Sequence, residues 1–488
     1  MRQGHYYIIG AGFSGQAIAR DILHHHQGEV LAFLDNDRQK IGTEIQNIPV
    51  LGPIYGALRS LDKRAQVLIA IPRLPKNELH QLYQTLIEHG FKYISILPSA
   101  SQLLTATGSL VLTREVDPAD FLGRAPIVLD MQKTLAYLRG KRVLVTGAGG
   151  SIGSELSRQL LLAECQRLYI LGHGENSIYQ LDKELKKLQT TGIGSNTQVV
   201  PVIGELQDQH YIDFLLSRLN VDMIFHCAAH KHVPLMEGNP IEVIKNNAFV
   251  VHFLVQAALK NKVPHFTLIS TDKAVEPFNV YGVSKALSEE IVLQAHEAGH
   301  EGFSLVRFGN VLGSRGSIIP LFKEQIISGG PLTITHKDMR RYFMTIPEAV
   351  SLVLLAGGTR SKTGCYLLEM GESVRIVDLA MQMLEFYHID FKKDEIQIVY
   401  TGIRPGEKLD EKLYADDEFI EETEYSRLLN ISAKNRQKID LDILMNELSP
   451  VCFYDEKHEN IYRNRHILRK ILQKHYKNLE NKSNEPEY

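Results

Sequence analysis

The sequence lacks an excess of charge of either sign, and it lacks an apolar run long enough to cross a bilayer. Its 488 residues carry a formal net charge of −3, so no nucleic-acid partner is indicated. Apolar runs such as "EAVSLVLLAG" fall short of the roughly 20 residues of a transmembrane helix, and "MRQGHYYIIGAG" enters a strand without a signal peptide. We therefore expect no integral membrane segment.

Cysteine is scarce, and its spacing argues against cysteine-based sites. The four cysteines lie far apart, without the close pairs of a zinc site, and a reduced, cytoplasmic location is the simple interpretation. Three histidines, His226, His230 and His232, lie together in "HCAAHKH", but they lack the helical H-E-x-x-H spacing and a cysteine pair. The sequence therefore predicts no metal site.

The chain is long enough for two or more domains. The segments "HYYIIGAGFSGQAIARDIL" and "GKRVLVTGAGGSIGSELSRQLL" each have the pattern of a short strand, a glycine-rich turn and an amphipathic helix. Because strands and helices alternate after both, we predict an α/β protein with two Rossmann-like, doubly wound parallel sheets. The predicted bounds are a first domain at 1–115, a linker at 116–140, a second domain at 141–430 and a charged helical extension at 431–488.

The glycine turn of the first domain has the G-x-G-x-x-G spacing of a dinucleotide site, with Gly10, Gly12 and Gly15. These glycines let the backbone approach a pyrophosphate at the start of a helix. Asp35, at the end of the next strand, can hold a ribose. The alternative is a tight turn in a domain that has no ligand. Because this half has no tyrosine–lysine pair, we expect no catalysis there.

The glycine turn of the second domain, "VTGAGGSIG", resembles the looser turn of the extended short-chain dehydrogenases/reductases. Downstream, "VIGEL" offers a glutamate to an adenine pocket, and "FHCAAH" ends a strand where the phosphates and ribose of such a cofactor pass. Gly172 stands where an NAD enzyme usually has an aspartate, and no arginine is nearby for a 2′-phosphate. The cofactor is therefore NADP or NAD, with a modest preference for NADP. The predicted cofactor-binding residues are Gly147, Gly150, Ser151, Ile152, Gly153, His173, Glu205, Ala228, Ala229 and Lys285.

The stretch "STDKAVEPFNVYGVSK" carries Tyr281 and Lys285, four positions apart and so on one face of a helix. A tyrosine has an ordinary pKa of about 10 and is a poor base at neutral pH, but a lysine ammonium and an oxidised nicotinamide can stabilise its phenolate. Tyr281 is then a base that takes the proton of a sugar hydroxyl as hydride leaves its carbon. The alternative is a core tyrosine and a solvated lysine.

Two neighbours, Asp272 and Lys273, indicate a second step. Once C4 of a hexose is a ketone, the C5 proton is acidic, and loss of the C6 hydroxyl needs a base at C5 and an acid at the leaving oxygen. Lys273 is the predicted base and Asp272 the predicted acid. Neutral lysine with protonated aspartate lies about 9 kcal/mol above the ion pair in water, so a dry pocket has to lower that difference. The alternative is a surface ion pair.

The motifs "TGAGGSIGSEL", "AAHKHVPLMEGNP", "STDKAVEPFNVYGVSK", "RFGNVLGSRGS" and "GIRPGEKLDEKL" together resemble the UDP-N-acetylglucosamine 4,6-dehydratases of bacterial polysaccharide and glycan synthesis. The resemblance extends over nearly the whole chain. It implies C4 oxidation, loss of water from C5 and C6, and hydride return to C6, with a tightly bound cofactor that each cycle regenerates. The second domain is then an extended short-chain dehydrogenase/reductase domain with a smaller sugar-nucleotide-binding region. The implied catalytic residues are Thr271, Asp272, Lys273, Tyr281 and Lys285.

The first domain, with "VLGPI" after its turn, resembles the additional nucleotide- or CoA-binding-like domain of the long, membrane-attached members. Two departures limit this resemblance. The long members have transmembrane helices ahead of that domain, which we do not identify in this sequence. They also tend to have methionine where Tyr281 stands, whereas the short soluble members keep the tyrosine. We therefore expect a long-form layout with a short-form catalytic tyrosine, in the cytoplasm.

The diphosphate of a UDP-sugar suits the planar fork of arginine. By resemblance, loops in "GNVLGSRGS", "MRRYFMT" and "IRPGEK" hold the uridine and the phosphates, and Glu407 reaches a ribose hydroxyl. A homo-oligomer is expected. The predicted substrate-binding residues are Lys231, His232, Asn310, Arg315, Arg341, Arg404 and Glu407.

Two other functions stay open. A UDP-sugar 4-epimerase has the same scaffold, but it needs no acid–base pair at C5 and C6, so the "TDK" triplet argues against it. A dinucleotide-sensing regulator needs neither Tyr281 nor Lys285, and both are present.

Overall fold

The structure, a computed structural model, describes residues 4–24, 28–71, 78, 81–82, 85–86, 88–91, 94–96, 134–314, 316–386, 396–425, 427–433, 436 and 438–479. The chain divides into two compact units, one of Met1–Gly123 with Leu384–Asp390, the other of Arg124–Met383 with Phe391–Tyr488. No helix within the described ranges has the length and apolarity to span a bilayer. Residues 116–133 of the predicted linker lie outside the described residues.

The first unit contains a six-stranded sheet in the order β3-β4-β2-β1-β5-β6. All its neighbouring strands are parallel except the short β3–β4 hairpin. Apolar residues of the strands are buried on both faces, as a parallel sheet requires. Its elements are β1 Gly4–Ile9, α1 Phe13–His24, β2 Gly28–Leu34, β3 Glu44–Ile45, β4 Ile48–Leu51, α2 Ile54–Ala57, the 3₁₀ turn Leu58–Ser60, β5 Gln66–Ile69 and β6 Ile94–Ile96.

The second unit is built on a nine-stranded sheet in the order β20-β21-β17-β12-β11-β10-β7-β8-β9. The seven strands from β9 to β17 are parallel, and β21 and β20 extend the sheet in antiparallel pairing. The strands of the unit are β7 Arg142–Thr146, β8 Arg167–Gly172, β9 Gln198–Ile203, β10 Met223–His226, β11 His265–Ile269, β12 Phe303–Arg307, β13 Asn310–Leu312, β14 Leu332–Ile334, β15 Arg340–Arg341, β16 Phe343–Thr345, β17 Cys365–Leu368, β18 Val374–Arg375, β19 Ile398–Tyr400, β20 Glu418–Glu422 and β21 Leu428–Ala433.

Helices pack on both faces of this sheet. The helices that begin in the second unit are α3 Ser151–Leu162, α4 Glu175–Thr190, α5 Gln209–Leu219, α6 Val233–Gly238, α7 Pro240–Val243, α8 Val250–Lys260, α9 Val280–Glu297, α10 Ile318–Ile327, α11 Ile346–Gly358, α12 Ile376–Phe386, α13 Leu441–Cys452 and α14 Arg465–Gln473, with a π-helical segment at Ile244–Phe249 and 3₁₀ turns at Ala136–Leu138, Asp272–Ala274 and Glu456–Ile461. The last residues of α12 belong to the stretch Leu384–Asp390 of the first unit.

Alternation of side chains along the strands explains the two layers. Val143 and Val145 of β7 pack with α3, α4 and α11, whereas Leu144 packs with α5, α8, α9, α13 and α14 on the opposite face. α9 is buried on nearly all sides, because the C-terminal helices α13 and α14 pack in the same core as α8 and α9. A helix buried all round needs no single apolar stripe.

The strand order β9-β8-β7-β10-β11 reverses direction at β7, so a crevice opens there at the carboxyl ends of the strands. The turns that follow β7, β10, β11 and β12 contain the motifs identified in the sequence. The predicted α/β class with two doubly wound parallel sheets is confirmed. The domain bounds at 115, 140 and 430 stay predictions.

Candidate active site

The glycine turn after β7 is closely packed. Gly147 has a φ of +64°, and a Cβ there would lie 2.6 Å from the amide nitrogen of Ala228. A Cβ on Gly153 would lie 2.3 Å from the carbonyl oxygen of Gly147. Helix α3 begins at Ser151, and its N-cap, Gly150, has no side chain to cover the helix start. A nucleotide phosphate fits such a turn, because backbone N–H groups and the helix dipole face it.

A side chain of the π-helical segment, Asn247, holds the loop after β10 by two hydrogen bonds. The side chain of Asn247 accepts from the amide of His230 at 2.9 Å and donates to its carbonyl at 3.1 Å. This loop also carries Ala228 and Ala229. The pKa of His230 is lowered by burial; Glu242 and Glu205 oppose that effect, and His173 adds to it. His173 and Glu205 therefore lie within electrostatic range of the loop, at the edge where an adenosine was predicted. Sequence reasoning missed Asn247, because no local motif marks it.

Tyr281 and Lys285 lie on α9 and are both buried. The Lys285 ammonium donates to the carbonyl of Ile269 at 2.6 Å. Burial lowers its pKa to about 8, while Glu289 and Cys227 act in the opposite direction. The pKa of Tyr281 is raised by burial and by Asp272 and Glu411, against a hydrogen bond with Thr271. In this structure Tyr281 is thus held as a phenol, and its activation by Lys285 stays a prediction.

Asp272 and Lys273 form a 3₁₀ turn just after β11. Asp272 is fully buried, and its Oδ1 accepts from Thr271 Oγ1 at 2.8 Å and from Lys273 Nζ at 2.9 Å. Among the described residues, its Oδ2 has no hydrogen-bond partner. Lys273 Nζ also donates to Asn310 Oδ1 at 3.2 Å. The pair is therefore not a surface ion pair, and Asn310 holds the lysine in this structure.

A second carboxylate, missed by sequence reasoning, completes this cluster. Glu411 is 7 % exposed, and its Oε1 lies 3.9 Å from Lys273 Nζ. Burial raises the pKa of Glu411, and the charge of Asp272 raises it further, whereas Lys273, Arg341 and Lys408 lower it. The residue lies inside the quoted segment "GIRPGEKLDEKL", but it is far from Lys273 along the chain, and no spacing rule connects the two.

The predicted substrate-binding residues have mixed surroundings. Arg341 is buried, and it donates to the carbonyls of Arg340, Leu409 and Lys408 at 2.6, 3.1 and 2.9 Å. It therefore fixes the loop that carries Glu411. Arg404 and Glu407 pair with each other at 2.7 Å.

His232 is the N-cap of α6. Burial lowers its pKa, and Lys231 and Arg404 lower it further, so these three predicted residues lie in one electropositive region. Arg315 lies outside the described residues. The substrate contacts of the predicted set stay predictions.

The glycine turn of the first unit is similarly tight. Gly10 has a φ of +101°, and a Cβ on Gly15 would lie 1.9 Å from the carbonyl oxygen of Gly10. Asp35 Oδ2 accepts from the amide of Ala11 at 2.8 Å. Burial works to raise the pKa of Asp35, but backbone hydrogen bonds from Asp37, Ala11 and Asn36 together with the charge of Lys40 outweigh it, so the pKa is lowered. The carboxylate is thus fixed at the turn by the amide of Ala11, and the ligand of this site stays a prediction.

Comparison with known proteins places the chain in a family. Residues 143–433 match the family described as "Polysaccharide biosynthesis protein". A Bacillus subtilis protein named "Probable polysaccharide biosynthesis protein EpsC" is 42% identical over 417 residues, which are 84% of this chain and 68% of that protein.

Two relatives have names that state an activity. The UDP-N-acetylglucosamine 4,6-dehydratase (inverting) of Campylobacter jejuni is 33% identical over 283 residues, 57% of this chain and 79% of that protein. A UDP-glucose 4-epimerase of Rickettsia massiliae is 34% identical over 282 residues, again 57% and 79%. Identity alone therefore does not separate the two activities.

Among solved structures, the X-ray structure of Pen from Bacillus thuringiensis matches with a TM-score of 0.54 and 28% identity, over 62% of this chain and 92% of that chain. The match supports the α/β fold of this chain. The similar sequences, the fold and the motifs at the strand ends all agree with the resemblance to the UDP-N-acetylglucosamine 4,6-dehydratases. The chain belongs to the polysaccharide biosynthesis protein family, whose relatives include nucleotide-sugar dehydratases and epimerases.

Proposed function

We propose that the protein is a nucleotide-sugar 4,6-dehydratase that converts UDP-N-acetylglucosamine to the UDP-4-keto-6-deoxy sugar, for polysaccharide or glycan synthesis. One observation carries the proposal: a buried carboxylate, Asp272, is hydrogen-bonded at 2.9 Å to a lysine, Lys273, directly after β11. An epimerase needs no such pair, because it makes and breaks no bond at C5 or C6. A cytoplasmic location and a homo-oligomer stay predictions from the sequence.

Two pairs of residues carry out the proposed reaction: Tyr281 with Lys285 acts at C4, and Asp272 with Lys273 acts at C5 and C6. Tyr281 takes the proton of the C4 hydroxyl, and Lys285, whose pKa of about 8 leaves it charged at neutral pH, stabilises the phenolate. Lys273 takes the C5 proton. Asp272 Oδ2, which has no protein partner among the described residues, gives a proton to the departing C6 oxygen, which leaves as water.

The proposed acid and base are the neutral forms of Asp272 and Lys273. Neutral lysine with protonated aspartate lies about 9 kcal/mol above the ion pair in water, so the proposed reaction requires a site that excludes water from this pair. The full burial of Asp272 meets that requirement on the side of the carboxyl.

The cofactor phosphates are placed at the glycine turn after β7, which contains Gly147 and Gly153 and leads into the uncovered start of α3. When bound, NAD(P) supplies the chemistry of hydride removal from C4 and hydride return to C6. The residue that follows β8 is His173, which is neither an acidic ribose ligand nor an arginine. Because no carboxylate is there to repel a 2′-phosphate, we propose a modest preference for NADP over NAD.

Incubation of the purified chain with UDP-N-acetylglucosamine and NAD(P) in heavy water, followed by NMR, tests the proposal. We expect loss of the C6 hydroxyl and deuterium at C5. Lys273→Ala should bind the cofactor as the wild type does and form no 4-keto-6-deoxy product. A C4 epimer as the sole product would instead support the 4-epimerase, and unchanged substrate with bound cofactor would support a sensor.

A further inference from the structure

Glu411 is a titratable residue of the site, and the proposed reaction gives it no role. It lies in the loop after β19, and its carboxylate is 3.9 Å from Lys273 Nζ. That distance is too long for a hydrogen bond but short enough for proton transfer after a small side-chain movement or through one water. Among the described residues, Lys273 is the only ion-pair partner of Glu411.

The two cations near Glu411, Arg341 and Lys408, donate their hydrogen bonds to backbone carbonyls. Arg341 donates to three backbone carbonyls, and Lys408 Nζ donates to the carbonyls of Val275 and Glu276 at 3.3 and 2.9 Å. Their charges act on Glu411 without a salt bridge to it. The groups that face its carboxyl are therefore Asp272 and Lys273 from the turn after β11, Tyr281 from α9, and these two cations.

The proposed reaction leaves the acid–base pair one proton short after each turnover. During elimination the C5–H bond breaks and its proton goes to the Lys273 amine; the C6–O bond breaks, and the oxygen leaves as water with a proton from Asp272. When Lys273 returns a proton to C5, the lysine is neutral again but Asp272 is ionised. The proton of the C4 hydroxyl balances this loss, but it is held by Tyr281. Since Asp272 is fully buried, bulk water does not reprotonate it directly.

We propose that Glu411 is the proton-exchange residue that recharges Asp272 through Lys273. The Glu411 carboxyl gives its proton to the Lys273 amine, and the resulting ammonium passes a proton to Asp272 along their 2.9 Å hydrogen bond. Glu411 regains a proton from water when the product leaves, and Tyr281 releases the C4 hydroxyl proton to water at the same stage. This role rests on the proposed dehydration, and it makes Glu411 a residue that acts through Lys273.

The acidity of Glu411 suits this role. Burial and the neighbouring Asp272 raise its pKa, and Lys273, Arg341 and Lys408 only partly oppose them. The carboxyl therefore keeps its proton at a higher pH than an exposed glutamate does. Glutamine has the same shape but cannot exchange a proton, whereas aspartate can do so from a shorter side chain.

Rapid-quench kinetics of Glu411→Gln separates this role from a structural one. Recharging is needed only between turnovers, so we expect a first turnover within threefold of the wild-type rate, followed by a steady state about 100-fold slower. Glu411→Asp should recover much of the steady-state rate. The matched control is Asp416→Asn, an acid-to-amide change in the same segment at a side chain 86% exposed, and it should behave as the wild type.

Three results would overturn the inference. The first is a steady state of Glu411→Gln within threefold of the wild-type rate, as expected if the Tyr281 proton instead reaches Asp272 through the hydroxyl of Thr271, which donates to Asp272 at 2.8 Å. The others are first and later turnovers slowed equally, and no recovery in Glu411→Asp. A wild-type chain that makes no 4-keto-6-deoxy sugar overturns the proposed function as well. Wild-type dehydration with a Gln variant that shows no burst overturns the role of Glu411 alone.

Discussion

At the residue scale, the buried ammonium of Lys285 lowers the stability of the folded state and serves the proposed reaction. It is 4% exposed, it donates to the carbonyl of Ile269, and its pKa is lowered by burial to about 8. An ammonium in such surroundings lacks the hydration it has in an unfolded chain. The folded state therefore accommodates a charge that the proposed reaction needs at Tyr281, and this lowers its stability.

This cost gives a prediction with a definite sign. From an ordinary value of 10.5 to about 8, the shift corresponds to about 3 kcal/mol of destabilisation. The cost is fully present below pH 8, where both states are protonated. Between pH 8 and 10.5 the unfolded chain binds more protons, so stability rises with pH. Lys285→Met should therefore melt at a higher temperature than the wild type at pH 7, with a difference that shrinks as the pH rises towards 10.5.

Calorimetric melting of the nucleotide-free chain at several pH values measures this difference. Loss of the hydrogen bond to Ile269 offsets about 1 kcal/mol of the gain. The matched control is the exposed Lys260, which pairs with Asp213 at 2.9 Å, and Lys260→Met should show no such pH dependence. A melting-temperature difference of Lys285→Met that is independent of pH would contradict the lowered pKa of Lys285.

Sequence spacing alone predicts those contacts of the site that join residues close together along the chain. Tyr281 and Lys285 are one helical turn apart, and Asp272 and Lys273 are adjacent, so spacing alone brings each pair together. The contacts of Lys273 with Asn310 and Glu411 depend on chain folding over tens of residues or more. No period or motif spacing carries that information. Arg341 illustrates the same limit, since only the structure shows that backbone carbonyls occupy its guanidinium.

At the element scale, the C-terminal helix α14 is tied to the start of α9. Arg469 is 1% exposed and donates to Glu237 Oε2 at 3.0 Å. The other oxygen of Glu237 accepts from the amide of Val280 at 2.7 Å, and Val280 is the first residue of the helix that carries Tyr281. A carboxylate suits a helix start. Glu237 thus connects the C-terminal extension to the residue before the proposed base.

We predict that Arg469→Met lowers stability by about 3 kcal/mol, because it removes the guanidinium partner of a buried carboxylate. The double variant with Glu237→Gln should recover part of that loss, since the remaining buried group is neutral. A double-mutant cycle on melting temperature measures the coupling. Additive effects of the two changes would contradict a direct link between α14 and α9.

Elements with a strong local pattern were predicted, and those defined by tertiary contacts were not. The strand–turn–helix segments that contain β1 with α1 and β7 with α3 follow from apolar runs and glycine turns in the sequence, and the spacing of Tyr281 and Lys285 predicts the helix α9. The antiparallel strands β21 and β20 join the sheet beside β17. Their alternation is weak, because charged residues fill β20 (Glu418–Glu422). The π-helical segment at Ile244–Phe249 has no sequence signature either, yet it supplies Asn247 to the site.

At the scale of the whole molecule, two glycine turns of similar construction lie in two separate sheets. In each, a glycine of the first helical turn packs against the carbonyl of the glycine that follows the strand: Gly15 against Gly10, and Gly153 against Gly147. The tyrosine–lysine pair and the acid–base cluster of the proposed reaction are all in the second unit. This division was predictable, because the two strand–turn–helix segments and the catalytic motif are each local patterns.

The two turns allow a matched comparison. An added Cβ would lie 2.3 Å from a carbonyl oxygen at Gly153 and 1.9 Å at Gly15, so alanine must displace the turn in both cases. We expect Gly153→Ala to weaken NAD(P) binding about tenfold or more and to slow dehydration, because the strain falls on the predicted phosphate site. Gly15→Ala should lower the melting temperature of the first unit but leave dehydration within about threefold of the wild type. Calorimetric titration and turnover measured on both variants decide the matter. If Gly15→Ala slows dehydration as much as Gly153→Ala does, the first turn takes part in catalysis and the assignment of the reaction to the second unit alone is wrong.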